Sequence, residues 1–167
     1  MPTDYDAVFA DIVFDKDGDV AAVQQAIDAG VDINCVANGD RWNLLHYMLV
    51  PVMWAPNLGV LDVALRNGCE INARDREGYT PLHFAARLED SAALTLLLER
   101  GADPNIPNDD GITPFHQYFL QGDIKADVVR LFITYGGKST PALMGFASAV
   151  VFEGKEQILP LLQAVET

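Results

Sequence analysis

The chain has 167 residues, 50% of them hydrophobic, which is enough to bury a sizeable core as a single domain. Its 24 acidic against 11 basic side chains leave a net charge of −13, which disfavours nucleic-acid backbones and anionic lipid as partners, since both reward clustered Lys and Arg. An acidic surface steers basic partners instead, or serves solubility alone.

The first six residues, Met1 to Asp6, are acidic and contain no basic stretch leading into an apolar one. A cleaved secretory leader is therefore not expected, and the expected compartment is the cytoplasm. A first helix is predicted from Tyr5 to Phe14. The run Asp15-Lys16-Asp17-Gly18-Asp19 resembles part of a calcium loop, but its glycine comes too early and the twelfth position is Ala26 instead of Glu. It reads as an inter-helix turn in which Asp19 caps a second helix carrying Val20, Val23 and Ile27 and ending at Gly30.

The next pair of helices is predicted to begin near Leu44 and to run from about Gly59 to Asn67. Asn43 to Leu65 is apolar and long enough to suggest a membrane span on length alone. Pro51, Pro56, Gly59 and Asp62 cut it into two short helices with a loop between them, so no span is expected. Cys35 and Cys69 have neither metal nor redox spacing and read as small, reduced, buried side chains.

Further on, Thr80 is placed to cap a helix whose first position is Pro81 and whose narrow apolar face is Leu82, Ala85 and Ala86. Its partner opens near Asp90 or Ser91, carries Ala93, Leu94, Leu97 and Leu98 inward, and stops at Gly101. The following pair covers Pro114 to Leu120 and, capped by Asp123, a helix bearing Val128, Val129, Leu131, Phe132 and Tyr135. A last pair starts at Thr140-Pro141 and spans Ala142 to Val151 and Glu156 to Val165, where Pro160 is expected to kink or delay the final helix.

Three tetrapeptides, Asn43-Leu44-Leu45-His46, Thr80-Pro81-Leu82-His83 and Thr113-Pro114-Phe115-His116, contain all 3 histidines and expose an internal repeat. Each is followed by helical sequence and a glycine turn: Gly68-Cys69-Glu70-Ile71-Asn72, Gly101-Ala102-Asp103-Pro104-Asn105 and a weaker Gly136-Gly137, with Gly30-Val31-Asp32-Ile33-Asn34 upstream. The step from Thr80 to Thr113 is 33 residues, the length that marks ankyrin-type arrays. The second unit carries a four-residue insertion within Pro51 to Pro56, and the fifth begins only four residues after Gly136, where the third begins twelve after Gly68.

The stretch from Asp75 through Asn105 resembles the ankyrin-repeat family almost position by position, and the resemblance fades at both ends, as terminal units exposed to water should. It implies an all-α solenoid of stacked helix–turn–helix units with short β-turn fingers. One domain, 1–167, would hold about five units (approximately 1–37, 38–74, 75–107, 108–139 and 140–167), the first and last being degenerate caps. In that family the box histidine hydrogen-bonds within and between repeats, so His46, Thr80, Pro81, His83, Thr113, Pro114 and His116 are expected to be structural. Equivalent side chains of successive units lie about 10 Å apart, too far to share a metal ion whose bonds are near 2 Å; no metal and no cofactor are expected.

No catalytic constellation stands out. Ser91, Ser139 and Ser148 lie in no Gly-x-Ser-x-Gly elbow, and Gly137-Lys138-Ser139 lacks the P-loop glycine, Phe132 standing in its place. The informative positions are those just before each box: Trp42, Tyr79 and Ile112, which stacking would align as an apolar stripe rimmed by Asp40, Arg41, Arg76, Glu77, Asp109 and Asp110. Large rigid side chains bordered by charge suit a protein-binding hot spot, although they would equally serve to cover the neighbouring finger turns. Arg87, Leu88, Leu120 and Gln121 extend this surface. Met53 and Trp54 in the inserted loop form a second candidate patch, unless Trp54 folds back to plug a gap between helices.

The expected function is a non-enzymatic, monomeric module that binds a protein through its concave finger and inner-helix face, without nucleic acid or membrane. A compact acidic array resembles bacterial interaction proteins, among them immunity or antitoxin-like inhibitors of a basic enzyme. A scaffold or regulatory subunit joining two partners is the alternative, and an enzyme the third.

Overall fold

In the computed structural model, which describes residues 20–34, 39–50 and 55–165, every regular element is an α-helix. The predicted helix from Tyr5 to Phe14, the Asp15 to Asp19 turn, Cys35, and the Met53-Trp54 patch lie outside the described residues. The helices are α1 (Val20–Asp28), α2 (Leu44–Met48), α3 (Leu58–Arg66), α4 (Pro81–Leu88), α5 (Ser91–Glu99), α6 (Pro114–Phe119), α7 (Ala126–Thr134), α8 (Pro141–Ala149) and α9 (Lys155–Gln163).

Local chemistry explains most of the starts. Asn57 accepts from Gly59 N at 2.9 Å and Val60 N at 3.2 Å, and Asp90 accepts from Ala92 N and Ala93 N at 3.0 Å, so α3 and α5 open on side-chain oxygens that satisfy orphan donors. Thr113 and Thr140 do the same for α6 and α8, and Pro follows each at the first helical position. The predicted Asp123 cap is corrected: α7 begins three residues later, with Lys125 as the capping residue. The buried Tyr118 hydroxyl donates to Asp123 O at 3.0 Å and accepts from Lys125 N at 2.9 Å, holding 123–125 outside the helix. The expected delay at Pro160 is corrected: α9 begins at Lys155 and runs through the proline to Gln163. The carbonyl that Pro160 leaves unpaired belongs to exposed Glu156, on the wet side of the helix.

Packing follows two rows. Helices α2, α4, α6 and α8 stack in sequence as one row, α1, α3, α5, α7 and α9 as the other. Small residues on the first row, such as the fully buried Ala85 and Ala86, let large ones on the second, such as Leu94 and Leu97, nest between units. Because each unit seals its neighbour's apolar flank, the core is continuous from Val23 to Leu162. Cys69 is buried in it as a free thiol, and burial pushes its pKa up to about 12, so it is inert packing and not a nucleophile.

Polar clasps lock the register between units. Asn34 donates to Gly68 O at 2.9 Å and accepts from Glu70 N at 2.6 Å, and Asn105 repeats this with Gly136 O at 2.9 Å and Lys138 N at 2.8 Å. Asp62 on α3 pairs with Arg66 of its own helix and reaches across to Arg100 after α5. Where the fifth unit has no finger, Ser139 N donates instead to Val165 O at 3.1 Å, the chain doubling back after α9.

Candidate partner-binding groove

The fingers of the third and fourth units are tight turns, each built by one acceptor. Asp75 Oδ1 accepts from Glu77 N at 2.9 Å and Tyr79 N at 2.8 Å; Asn108 Oδ1 accepts from Asp110 N at 3.1 Å and Ile112 N at 2.8 Å. Fingers then join neighbour to neighbour: Arg76 N donates to Asp40 O at 2.9 Å and Asp109 N to Glu77 O at 3.0 Å. The turn demands a left-handed residue, supplied by Gly78 (φ +81) and Gly111 (φ +79), and at the equivalent place in the second unit by Arg41 (φ 61).

Gly78 and Gly111 make a controlled pair. A Cβ at Gly111 meets open space, so Gly111→Ala carries backbone strain alone, about 1 kcal/mol. A Cβ at Gly78 falls 2.9 Å from Asp109 N and abuts both the Asp109 carboxylate and the Arg74 guanidinium, whose ion pair is 2.7 Å long. Gly78→Ala is therefore expected to destabilise by at least about 1 kcal/mol more than Gly111→Ala, read from urea midpoints; equal losses would refute the close approach.

Histidine geometry ties the fingers to the first row of helices. His83 Nε2 donates to Ile112 O at 2.9 Å in the next finger, and its Nδ1 accepts from Thr80 N at 2.9 Å. His46 repeats the pattern with Tyr79 O at 3.1 Å and Asn43 N at 3.3 Å. In His83 one ring nitrogen donates and the other accepts, which fixes a neutral imidazole, whereas at His46 the acceptor Asn43 Oδ1 also lies 2.8 Å from Nδ1. Burial lowers the pKa of all three histidines, His83 to about 4, with repulsion from Arg87, Arg74 and His46 added and the Ile112 carbonyl working against it. His116 faces no following finger: its backbone N–H caps onto Thr113 Oγ1 at 3.2 Å and its ring lies 5.9 Å from that of Phe146.

Between the second and third fingers lies a groove of about 280 Å³. It gathers Asp40, Trp42, Arg76, Glu77, Tyr79 and Arg87 from the positions expected in the sequence. Its floor adds Phe84, which sequence reasoning missed, with Val50 and Asp75 beside it. Phe84 is only 5% exposed, because the Trp42 ring meets its edge at 5.7 Å and the Tyr79 ring at 6.4 Å. Arg87 closes the end, its guanidinium 4.2 Å above the Tyr79 ring centroid and 5.5 Å from that of Phe84. Both aromatic rims, Trp42 and Tyr79, are half-buried: each packs on one side and faces the groove on the other.

Other expected residues stand apart from this groove. Ile112 is half-buried at the next finger, and the exposed Asp109 and Asp110 line its tip. Leu88 and Gln121 are partly covered, and Leu120 is exposed at the end of α6. A different set, including Asn34, Arg41, Glu70 and Arg74, lines a second groove of about 290 Å³. Among the described residues no three His, Cys, Asp or Glu side chains gather as a metal site requires, and no helix is long and apolar enough to cross a membrane.

Comparison with known proteins agrees with this architecture. The family described as ankyrin repeats (3 copies) matches residues 12–108 and 52–139. An ankyrin repeat protein of fowlpox virus is 29% identical over 128 residues, which are 74% of this chain and 36% of that protein. An ankyrin repeat-containing protein of Schizosaccharomyces pombe is 44% identical over 68 residues, 38% of this chain and 33% of its own length. The human 2-5A-dependent ribonuclease is 30% identical over 81 residues, 48% of this chain and 11% of the enzyme. The chain thus spans about a third or less of the length of these relatives. The crystal structure of an ankyrin repeat domain from Acinetobacter baumannii superposes with a TM-score of 0.73 at 22% identity, covering 87% of this chain and 75% of that one.

Proposed function

Because the chain belongs to the ankyrin-repeat family, whose arrays are in general protein-interaction modules, we propose that it is a non-enzymatic binding module holding a protein partner in the groove between its second and third fingers. The observation that carries this reading is the groove itself. Trp42 and Tyr79 are braced from behind by Phe84 and open toward solvent in front, bordered by charges of both signs. Rigid amphipathic rings bury large area at little entropic cost, and the polar rim sets orientation.

The partner is a basic protein in this proposal. A net charge of −13 raises the encounter rate with a cationic surface, and occlusion of a basic enzyme, as by an immunity-type inhibitor, is the form of binding that a small monomeric cytoplasmic array serves most directly. The second groove, with its own polar lining, supports the scaffold reading in which two partners are held together.

Affinity capture from native lysate on immobilised protein identifies the partner, and Trp42→Ala and Tyr79→Ala then test the site. Each is expected to weaken the captured complex by about 2 kcal/mol or more, roughly 30-fold in Kd, with the helical signal unchanged. Wild-type affinity in both variants would remove the groove from the interface. The association rate is expected to fall as salt rises and the Debye length shrinks toward about 10 Å at 0.1 M; a salt-independent rate would exclude steering by charge.

A further inference from the structure

Among the described residues the basic side chains of Arg41, Arg76, Arg87, Lys138 and Lys155 rest on no carboxylate, and two of them, Arg76 and Arg87, line the groove. Arg66, Arg74, Arg100, Lys125 and Arg130 each rest on a carboxylate. Among the described residues the side chains of Arg76 and Arg87 make neither ion pair nor hydrogen bond, and both arginines line the groove. Arg87 is also held in place: its guanidinium stacks on Tyr79 at 4.2 Å and approaches Phe84 at 5.5 Å. A position in the last turn of α4 favours a cation there, yet that accounts for the charge and not for a fork fixed over an aromatic floor with every donor unused. Such a fork has lost its rotamer freedom in advance and lacks only a planar acceptor.

We propose that the groove takes a linear segment of the protein partner with one Asp or Glu side chain seated on the Arg87 guanidinium. This deepens the groove reading above and rests on it. Arg76 supplies a second unpaired donor set on the finger side, and the apolar stem of the anchored residue lies against Trp42 and Phe84. Asp75 does not compete for the fork, since its Oδ1 is committed to Glu77 N and Tyr79 N and the residue is 8% exposed. Asp40 and Glu77 on the finger tips place negative charge at the opposite border, so the segment that fits pairs its single acid with basic neighbours, in keeping with a basic partner.

The test uses a phage-displayed library of random linear peptides selected on the 167-residue chain, followed by fluorescence anisotropy on the best peptide. Selected peptides are expected to share an Asp or Glu at one fixed position. Changing that residue to its amide is expected to weaken binding to the wild type about tenfold or more, and to leave binding to Arg87→Gln nearly unchanged, a coupling that a structural role for Arg87 would not produce. Arg87→Lys, which keeps the charge without the stacked fork, is expected to lose most of the same factor.

Equal loss from the amide peptide on wild type and Arg87→Gln overturns the anchor, as does a library without a fixed acid. If Trp42→Ala abolishes binding in either case, the groove survives and only the anchor falls. If Trp42→Ala leaves peptide binding intact, the groove reading fails with it; if no peptide is selected, the linear-segment anchor falls and the groove reading rests on the captured partner alone.

Discussion

Acidification from pH 6.5 to pH 5 is expected to destabilise the protein, with about 1.5 kcal/mol of the loss coming from His83 alone. The folded pKa of His83 is about 4 against an ordinary value of 6.5, so between these the unfolded chain binds the proton and the folded chain does not. Stability from this group is complete above pH 6.5, declines as pH falls through the window, and is lost by about pH 4, a total of roughly 3 kcal/mol. The cause is visible in the hydrogen bonds. Nε2 donates to Ile112 O, so an added proton must go to Nδ1, which would then confront the Thr80 N–H it now accepts. His46 and His116, also shifted down by burial, act in the same direction.

A falling negative charge works the other way by relieving self-repulsion, and the comparison with His83→Gln subtracts that contribution. The variant is expected to be less stable than wild type at pH 7.5, having lost the imidazole bridge. Its stability should then change less steeply between pH 6.5 and pH 5, by close to one proton of linkage, as followed by urea unfolding. Carboxylates of the unfolded chain titrate near 4, outside most of this interval. An identical slope in wild type and variant would show that His83 carries no linked proton.

The legible part of this fold was the part written in local rules. Thr80, Thr113 and Thr140 with their following prolines mark helix starts, because a capping oxygen and a fixed φ act within three residues. The start of α7 was not legible. It depends on the Tyr118 hydroxyl bonding residues 123 and 125, and nothing in the composition of that loop ranks Lys125 above Asp123. Turn asparagines were visible as a repeat, but not that Asn34 and Asn105 each clasp the next unit's glycine carbonyl, a partner more than thirty residues on.

The candidate site divides the same way. Equivalence of Trp42 and Tyr79 followed from the repeat register alone, whereas Phe84 was assigned no role. Its neighbour Trp42 lies a whole repeat away, and the box pattern places position 84 on the helix without saying which side chain leans over it. The pairing of Arg87 with Tyr79 is likewise a tertiary fact: eight residues separate them, with a helix start between, so no helical spacing announces the stack. Two residues of the stripe read from register, Trp42 and Tyr79, line the groove and the third, Ile112, does not, while the orientation of the charged groups had to come from coordinates.

Phe115→Ala is expected to cost about 3–5 kcal/mol and to split the unfolding of the array. Phe115 is fully buried, stacks on Phe132 with ring centroids 4.9 Å apart, and meets Phe119 edge-on at 5.8 Å, so truncation removes an aromatic pair as well as area and leaves a void walled by rings. That loss is a large fraction of the stability of a domain this size. It falls on one link of a chain of neighbour contacts, because α6 lies between α4 and α8, and Phe132 of α7 lies between α5 and α9 in the other row. In a nearest-neighbour stack, weakening the fourth unit loosens the fifth, whose α8 and α9 pack on α6 and α7, and leaves α2 to α5 sealed to one another. Amide hydrogen exchange should then rise in α6 to α9 while the Leu82, Leu94 and Leu97 region keeps most of its protection, and the urea transition should broaden or divide. A single sharp transition with uniform loss of protection would mean that the units are coupled too tightly for the solenoid description of the energetics to apply.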